Sequence, residues 1–424
     1  MSRSNIRYGM LSLVFVNVMI NYLDRSNIAV ANSSIMETFQ LNSKQMGLIL
    51  GAFGWTYALL QIPGGLLATK FGPRVLYAVC LITWSLATMS LSMARGFTAL
   101  FGFRLAIGAF EAPSYPINNR VATSWFPDNE RAGATAIYVS GQFIGLAFFS
   151  PILVMIQQRF GFQGMFVITG AIGLVWGIVW YFLYRDPLDH PKVNKAELDH
   201  IEQGGGVLTG KKNDISKAQP ITSGDVGKIF SNTTLWGVYI AQFCVNGILY
   251  FFLTWFPTYL VKARGLEFVK SGFLASIPFL AACAGLLLSG FISDNLVKKG
   301  WSVAMARKVP IIIGMLVSIS IIGPNYTSDT VWVIFFLSLA FFGAGMALIS
   351  WVFVSILAPK HLVGLTGGVF NFMGNLASII VPYVIGYLIF PNNNFESALT
   401  FIGILGFVGA MSYIFLVRKV ERIQ

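Results

Sequence analysis

Charge is scarce in this chain. Only 11% of its 424 residues are Asp, Glu, Lys or Arg, against roughly 25% in an ordinary soluble domain, while 55% are apolar. So few polar groups cannot cover a water-facing surface, which excludes a soluble globular protein. Cysteine is scarcer still: Cys80, Cys244 and Cys283 sit in separate apolar runs without metal-ligand spacing. That excludes a disulfide framework and a zinc site, and makes them small core residues. The three histidines, His190, His200 and His361, all fall in polar loops, so no imidazole relay is available in an apolar core. What is abundant is hydrophobicity, with 15% aromatics and a mean hydropathy of +0.69. Lipid is the solvent such a chain requires.

Crossing the hydrocarbon core takes roughly 20 apolar residues. Twelve runs qualify, approximately 8–31, 45–69, 74–94, 97–118, 130–156, 163–184, 233–261, 270–296, 307–324, 330–357, 362–389 and 396–417. The expected fold is an all-α membrane protein of twelve transmembrane helices in two six-helix bundles, residues 1–184 and 233–424, joined by a central cytoplasmic loop, 185–232. A net charge of +12 raises the question of a nucleic-acid partner, and the positions of the basic residues answer it. Of the 29 Lys and Arg, Lys44, Arg95, Arg159, Lys262, Arg264 and Lys270 lie in loops after odd-numbered spans and Arg25 and Arg104 lie inside spans. The other 21 occupy the termini and the loops after even-numbered spans. By the positive-inside rule both termini are cytoplasmic, and no nucleic acid is expected. The first apolar run is too long for a signal-peptide core and lacks a small-residue cleavage site, so no cleavable leader is expected.

The two halves repeat a local signal. Gly65 to Arg74 follows span two, and Gly290 to Gly300 follows span eight, each with a helix-end glycine, a polar cap and a basic turn. Parallel repeats related by an axis along the membrane normal produce this pattern, as in one large class of secondary transporters.

Ionisable groups at membrane depth cost at least ~2.5–3.5 kcal/mol on insertion scales, and only four persist. Asp24 and Arg25 lie ~24 Å up span one. Arg104 and Glu111 lie on one face of span four with ~10.5 Å of rise between them. Arg104 falls at a depth similar to Asp24 and Arg25, so the four can meet near the midplane. Two arginines in a low-dielectric cavity suit an anion such as a carboxylate, because the guanidinium fork offers paired donors. With no core histidine, Asp24 and Glu111 are the groups left to carry a proton. Burial favours the protonated form of a carboxyl and a nearby arginine favours the ionised one, so an anion that occupies the arginine promotes proton uptake. The alternative is structural: Asp24 pairs with Arg104 and Arg25 with Glu111 to tie helices together.

Tyr22, Asn21, Tyr57, Gln61, Asn118, Asn119 and Gln142 add uncharged donors and acceptors suited to a hydroxylated solute. The second half has only neutral candidates, among them Gln242, Asn246, Ser350, Asn371, Asn375 and Trp351. Gly205 to Lys211 imitates a phosphate-binding loop, but Lys212 replaces the required Ser or Thr and no strand precedes it. No nucleophile elbow, intramembrane histidine or metal spacing is present, so neither an enzyme nor a cofactor is expected. Gly141 with Gly145, and Gly364 with Gly367 and Gly368, read as helix-packing positions. Asn194 to Glu202 reads as a short capped surface helix.

Asn21-Tyr22-Leu23-Asp24-Arg25, Gln61-Ile62-Pro63-Gly64-Gly65, Phe110-Glu111-Ala112-Pro113 with Trp125-Phe126-Pro127, and Gly367-Gly368-Val369-Phe370-Asn371 resemble the anion:cation symporter branch of the major facilitator superfamily across nearly the whole chain. The resemblance implies proton-coupled symport of a sugar acid, a hexonate such as D-galactonate, by alternating access. The location implied is the bacterial inner membrane, where the protein acts as a lipid-embedded monomer. Uniport or exchange of another organic anion (hexuronate, glucarate or galactarate, aromatic acid) is the alternative. It also implies that Arg25, Tyr22, Tyr57, Gln142, Ser350, Trp351 and Asn371 line the substrate site, and that Asp24 and Glu111, with Arg104, handle protons. One departure is Thr69 and Pro73, which stand where the superfamily usually has an aspartate and a basic residue. Asp294 keeps the acidic position in the second half. A weaker outward-facing state is the expectation.

Overall fold

The computed structural model describes residues 3–208, 227, 229–359, 362–392, 394–418 and 420. His361 and the tail of the phosphate-loop imitation, Thr209 to Lys212, lie outside them. All regular structure among the described residues is helical.

Helix α1 (Ile6–Thr38) is followed by α2 (Ser43–Ser90), which opens on a reciprocal cap between Asn42 and Gln45. Forty-eight helical residues would span about 72 Å, more than twice the hydrocarbon core of about 30 Å. The chain instead turns back at Gly72, whose φ of +75° no β-carbon-bearing residue adopts cheaply. Pro73 then starts the return with its φ already helical. The expected runs 45–69 and 74–94 are thereby two crossings. Helix α5 (Asp128–Leu183) repeats the device at Gly161, φ +69°, between runs 130–156 and 163–184.

The expected run 97–118 is broken. Helix α3 (Phe97–Glu111) stops before Pro113, which has no N–H to continue the ladder, and α4 (Ser114–Trp125) resumes immediately. The central segment contributes α6 (Lys195–Gln203), capped by Asn194, whose Oδ1 accepts from Glu197 N at 3.0 Å. The second half begins with α7 (Thr233–Thr254), which gives way near Pro257 to a π turn at Tyr259–Ala263. Then come α8 (Phe268–Lys298), α9 (Val303–Ser318) with a 3-10 extension to Tyr326, α10 (Thr330–Ala347), α11 (Trp351–Leu357), α12 (Val363–Leu388) and α13 (Glu396–Met411). Nine helices among the described residues are long and apolar enough to cross a membrane. Two of these hold a pair of crossings each, and α3 with α4 supplies one more, which makes twelve. Side chains such as Leu66, Phe182, Phe291 and Val331 are 65–75% exposed, as lipid-facing positions should be.

Helix α1 packs on α5 and α2 on α3 and α5; in the second half α8 packs on α10 and α7 on α12 and α13. The bundles meet through α2 against α12 and α5 against α8, and these contacts gather at the end opposite the chain termini. There a β-carbon on Gly47 would lie 2.7 Å from the Pro382 carbonyl, one on Gly51 2.9 Å from that of Ile379, and one on Gly386 2.4 Å from that of Ser43. Ser276 donates to the Ala147 carbonyl at 2.7 Å, and Lys262 pairs with Glu37 at 3.3 Å. At the end bearing the termini no neighbour among the described residues approaches within 4 Å of a β-carbon built on Gly290 or Gly368. Gly141 and Gly145 do pack closely, against Phe15 and Met19 of α1, and a β-carbon on Gly367 would touch Val354 at 3.5 Å, whereas Gly368, also expected to pack, faces open space among the described residues. Among the described residues the bundles are closed at one end and parted at the other.

Candidate functional site

Adjacent residues on a helix point about 100° apart, so Asp24 and Arg25 address different surroundings. Arg25 Nε donates to Glu111 Oε1 at 2.6 Å. Its guanidinium carbon lies 4.9 Å from the ring centre of Tyr22, 4.8 Å from Phe53 and 4.6 Å from Tyr57. Arg104 lies over the same Phe53 ring, at 5.1 Å. Helix α2 supplies this wall because Phe53, Tyr57 and Gln61 recur every four residues on one face. Asp24 turns away from it and accepts a hydrogen bond from Trp84 Nε1 at 3.0 Å.

These groups are deeply buried: Asp24 and Glu111 are 0% exposed, Arg104 3% and Arg25 7%. Half of the structural alternative is therefore present, the Arg25–Glu111 pair, while Asp24 takes the Trp84 indole in place of Arg104. Arg25 Nη2, Arg104 Nε and Nη1, Glu111 Oε2, Asp24 Oδ1 and both amide atoms of Asn21 and Asn118 have no hydrogen-bond partner among the described residues. Buried polar atoms are almost always paired, and unpaired guanidinium donors beside an aromatic wall are the groups an anion needs.

The remaining candidates fall into separate groups. Asn371 donates to Gln61 Oε1, and Asn375 donates to the same oxygen at 3.5 Å, so the amides bridge α2 and α12 one turn beyond Tyr57. Ser350 Oγ donates to Gln242 Oε1 at 3.0 Å inside the second bundle. Trp351 is half exposed and edge-on to Phe370. Gln142 is buried and accepts from the Tyr115 hydroxyl at 3.4 Å. Asn119 lies exposed beyond the break at Pro113. Sequence reasoning passed over Phe53 and Trp84. Phe53 was legible as the residue one turn before Tyr57, and Trp84 as an indole N–H in an apolar run, a donor that needs an acceptor.

Two helical bundles parted at one end around a buried ionic cluster form the architecture of a solute transporter. The Major Facilitator Superfamily pattern matches residues 14–382, and the chain belongs to that superfamily. It is 47% identical over 418 residues to a D-galactonate transporter of Escherichia coli O6:H1, covering 98% of this chain and 97% of that one. It is 41% identical over 430 residues to a probable galactarate/D-glucarate transporter, GudP, of Bacillus subtilis, covering 99% and 94%. In fold it is similar to a bacterial homologue of the human lysosomal transporter Spinster, with a TM-score of 0.71 at 19% identity, covering 98% and 96%. This chain is a multi-pass membrane transporter and not an enzyme.

Proposed function

We propose that the chain imports a hexonate-type sugar acid, D-galactonate in the first instance, together with protons, across the bacterial inner membrane. The observation that carries this is the Arg25 guanidinium, caged by Tyr22, Phe53 and Tyr57 and shared with Glu111 at 2.6 Å. In this reading the termini are cytoplasmic, the open end faces the cytoplasm, and residues 1–184 and 233–424 are the units that rock about the site. The lipid-embedded monomer is the working form. The substrate carboxylate takes the place of Glu111 on Arg25. Glu111, left in a dry site without its cation, takes a proton, so anion and proton enter together. Asp24, with Arg104 near it, is the second proton carrier.

The hydroxylated tail of the substrate meets neutral groups, with Gln142, Ser350, Trp351 and Asn371 as candidates. This favours a hexonate over the aldarates in the names of several relatives. An aldarate carries a second carboxylate, and the second-bundle groups named here are all uncharged. Thermal-shift and direct-binding measurements on the purified protein with D-galactonate, galactarate, D-glucarate and a hexuronate test the assignment. Galactonate should stabilise the protein most, and Arg25→Lys, which loses the fork and the ring stacking, should abolish its effect. Equal stabilisation by an aldarate, or an unchanged response in the variant, overturns it.

A further inference from the structure

Next to the Arg25 cage lies a second compartment. Asp24 sits where α1 meets α2 and the returning half of α5. Trp84 and Asp24 are each 0% exposed, and among the described residues the indole N–H to Oδ2 bond of 3.0 Å is the carboxylate's one direct hydrogen bond, with none to Oδ1. Gly173 leaves room for this arrangement: a β-carbon there would lie 2.2 Å from Ser85 Oγ and 3.8 Å from Asp24 Oδ2. Trp84 is itself fixed by edge-to-face packing on Tyr77, which packs in turn on Trp180. The charged groups acting on Asp24 come from α3, Glu111 and Arg104. Helix α2 brings Trp84 and Ser85, and α5 brings Gly173, none of them charged.

We infer that Trp84 is a positioning residue for proton coupling: its indole N–H fixes the Asp24 carboxyl between α1 and α2 and sets the pH at which that group exchanges its proton. The chemistry is one-sided. An indole N–H can only donate, so it stabilises the carboxylate more than the carboxylic acid, whose exchanging proton must then sit on Oδ1, the oxygen that lacks a partner. Because the ring is anchored by Tyr77 and Trp180, the donor stays in place whether or not Asp24 is protonated. This inference rests on the proposed role of Asp24 as a proton carrier.

Trp84→Phe removes the donor and keeps an aromatic ring in the packing. Without the donor the carboxylate binds its proton more tightly. The pH midpoint of galactonate uptake in proteoliposomes should rise by about one unit, a tenfold change in proton affinity. In an Asp24→Asn background the same substitution should leave the pH profile unaltered, because a contact cannot be lost twice; a packing defect alone would act equally in both backgrounds. Unchanged midpoints in Trp84→Phe, or equal effects in the two backgrounds, overturn the inference while proton coupling stands. If Asp24→Asn alone retains full proton-driven accumulation, the role of Asp24 falls, and this inference with it. Should Trp84→Phe fail to fold, Gly173→Ala provides the second test. Its added methyl would lie 3.8 Å from Asp24 Oδ2, the oxygen that accepts from the indole, and crowds that contact, which should move the midpoint; an unmoved midpoint counts against the inference.

Discussion

Glu111→Gln isolates the competition for Arg25. The substitution keeps the side chain's shape, but the contact of 2.6 Å to Arg25 Nε changes from an ion pair to a hydrogen bond between the guanidinium and a neutral amide oxygen. Neutralising the acceptor removes roughly half or more of the ~1.5–3 kcal/mol that such a charged contact contributes. An incoming carboxylate therefore meets about 1–2 kcal/mol less competition, worth roughly five- to thirtyfold in affinity. Binding to the unaltered protein should strengthen as pH falls, because protonating Glu111 frees the guanidinium; in the variant that part of the pH dependence should vanish. The variant cannot load a proton at this position and keeps only Asp24 as a carrier, so a pH gradient should drive much less accumulation, while exchange of labelled for unlabelled galactonate across the membrane continues. Calorimetry across pH measures the first effect, and gradient-driven uptake compared with counterflow in proteoliposomes measures the second. Weaker binding combined with intact gradient-driven accumulation would refute the reasoning.

Other consequences follow from the closed end and the termini end. Gly51→Val places a side chain against the Ile379 carbonyl, 2.9 Å from where a β-carbon would sit. Overpacking costs about 1–3 kcal/mol, so the closed end should open about five- to 150-fold more often, read as a longer distance between spin labels on α2 and α12; unchanged distances contradict this. Thr69 only returns its hydroxyl to the Gly65 carbonyl, whereas Asp294 pairs with Arg307 at 2.9 Å. Thr69→Asp should favour closure of the termini end by no more than about fivefold, the range of exposed ion pairs, and unaltered populations count against it. Glu197 accepts from Ser4, from Ile6 N at 3.0 Å, and from Arg7 through both its backbone and its guanidinium. Burial pushes its carboxyl up, but these donors outweigh that and hold it below the ordinary 4.5. Its contribution to stability is thus complete above pH about 4.5 and disappears as pH falls through the lower folded-state value. Glu197→Gln should lower the melting temperature at pH 7 by about 2–4 °C per kcal/mol lost, and the gap to the unaltered protein should shrink in acid. A gap independent of pH would contradict this.

The membrane crossings were legible because apolar run length is a crude, strong signal, and the four buried charges were legible because lipid makes them expensive. The placement of α6 could be read from Asn194, its cap. That Glu197 also caps α1, whose own Asn5 makes no side-chain bond to the helix backbone, could not, since the two residues that meet are far apart in sequence. The break at Pro113 was masked by the apolar residues around it. Matching the buried charges by sign, as the structural alternative does, pairs Arg25 with Glu111 as the structure has it. It could not show which way Asp24 turns, because that depends on the rotation of α1 against α2, fixed by packing around Trp84 and Gly173. The parting of the bundles beside Gly368 was also hidden, since glycine serves a tight contact and an open cleft equally well.

The claim on which the rest depends is that an anionic solute and a proton pass through one site built on Arg25 and Glu111. Proteoliposomes loaded with a pH-sensitive dye and given external galactonate test it most directly. The account predicts that galactonate entry carries protons inward and acidifies the lumen, and that Arg25→Lys abolishes both fluxes. Galactonate entry with no change in luminal pH would contradict it.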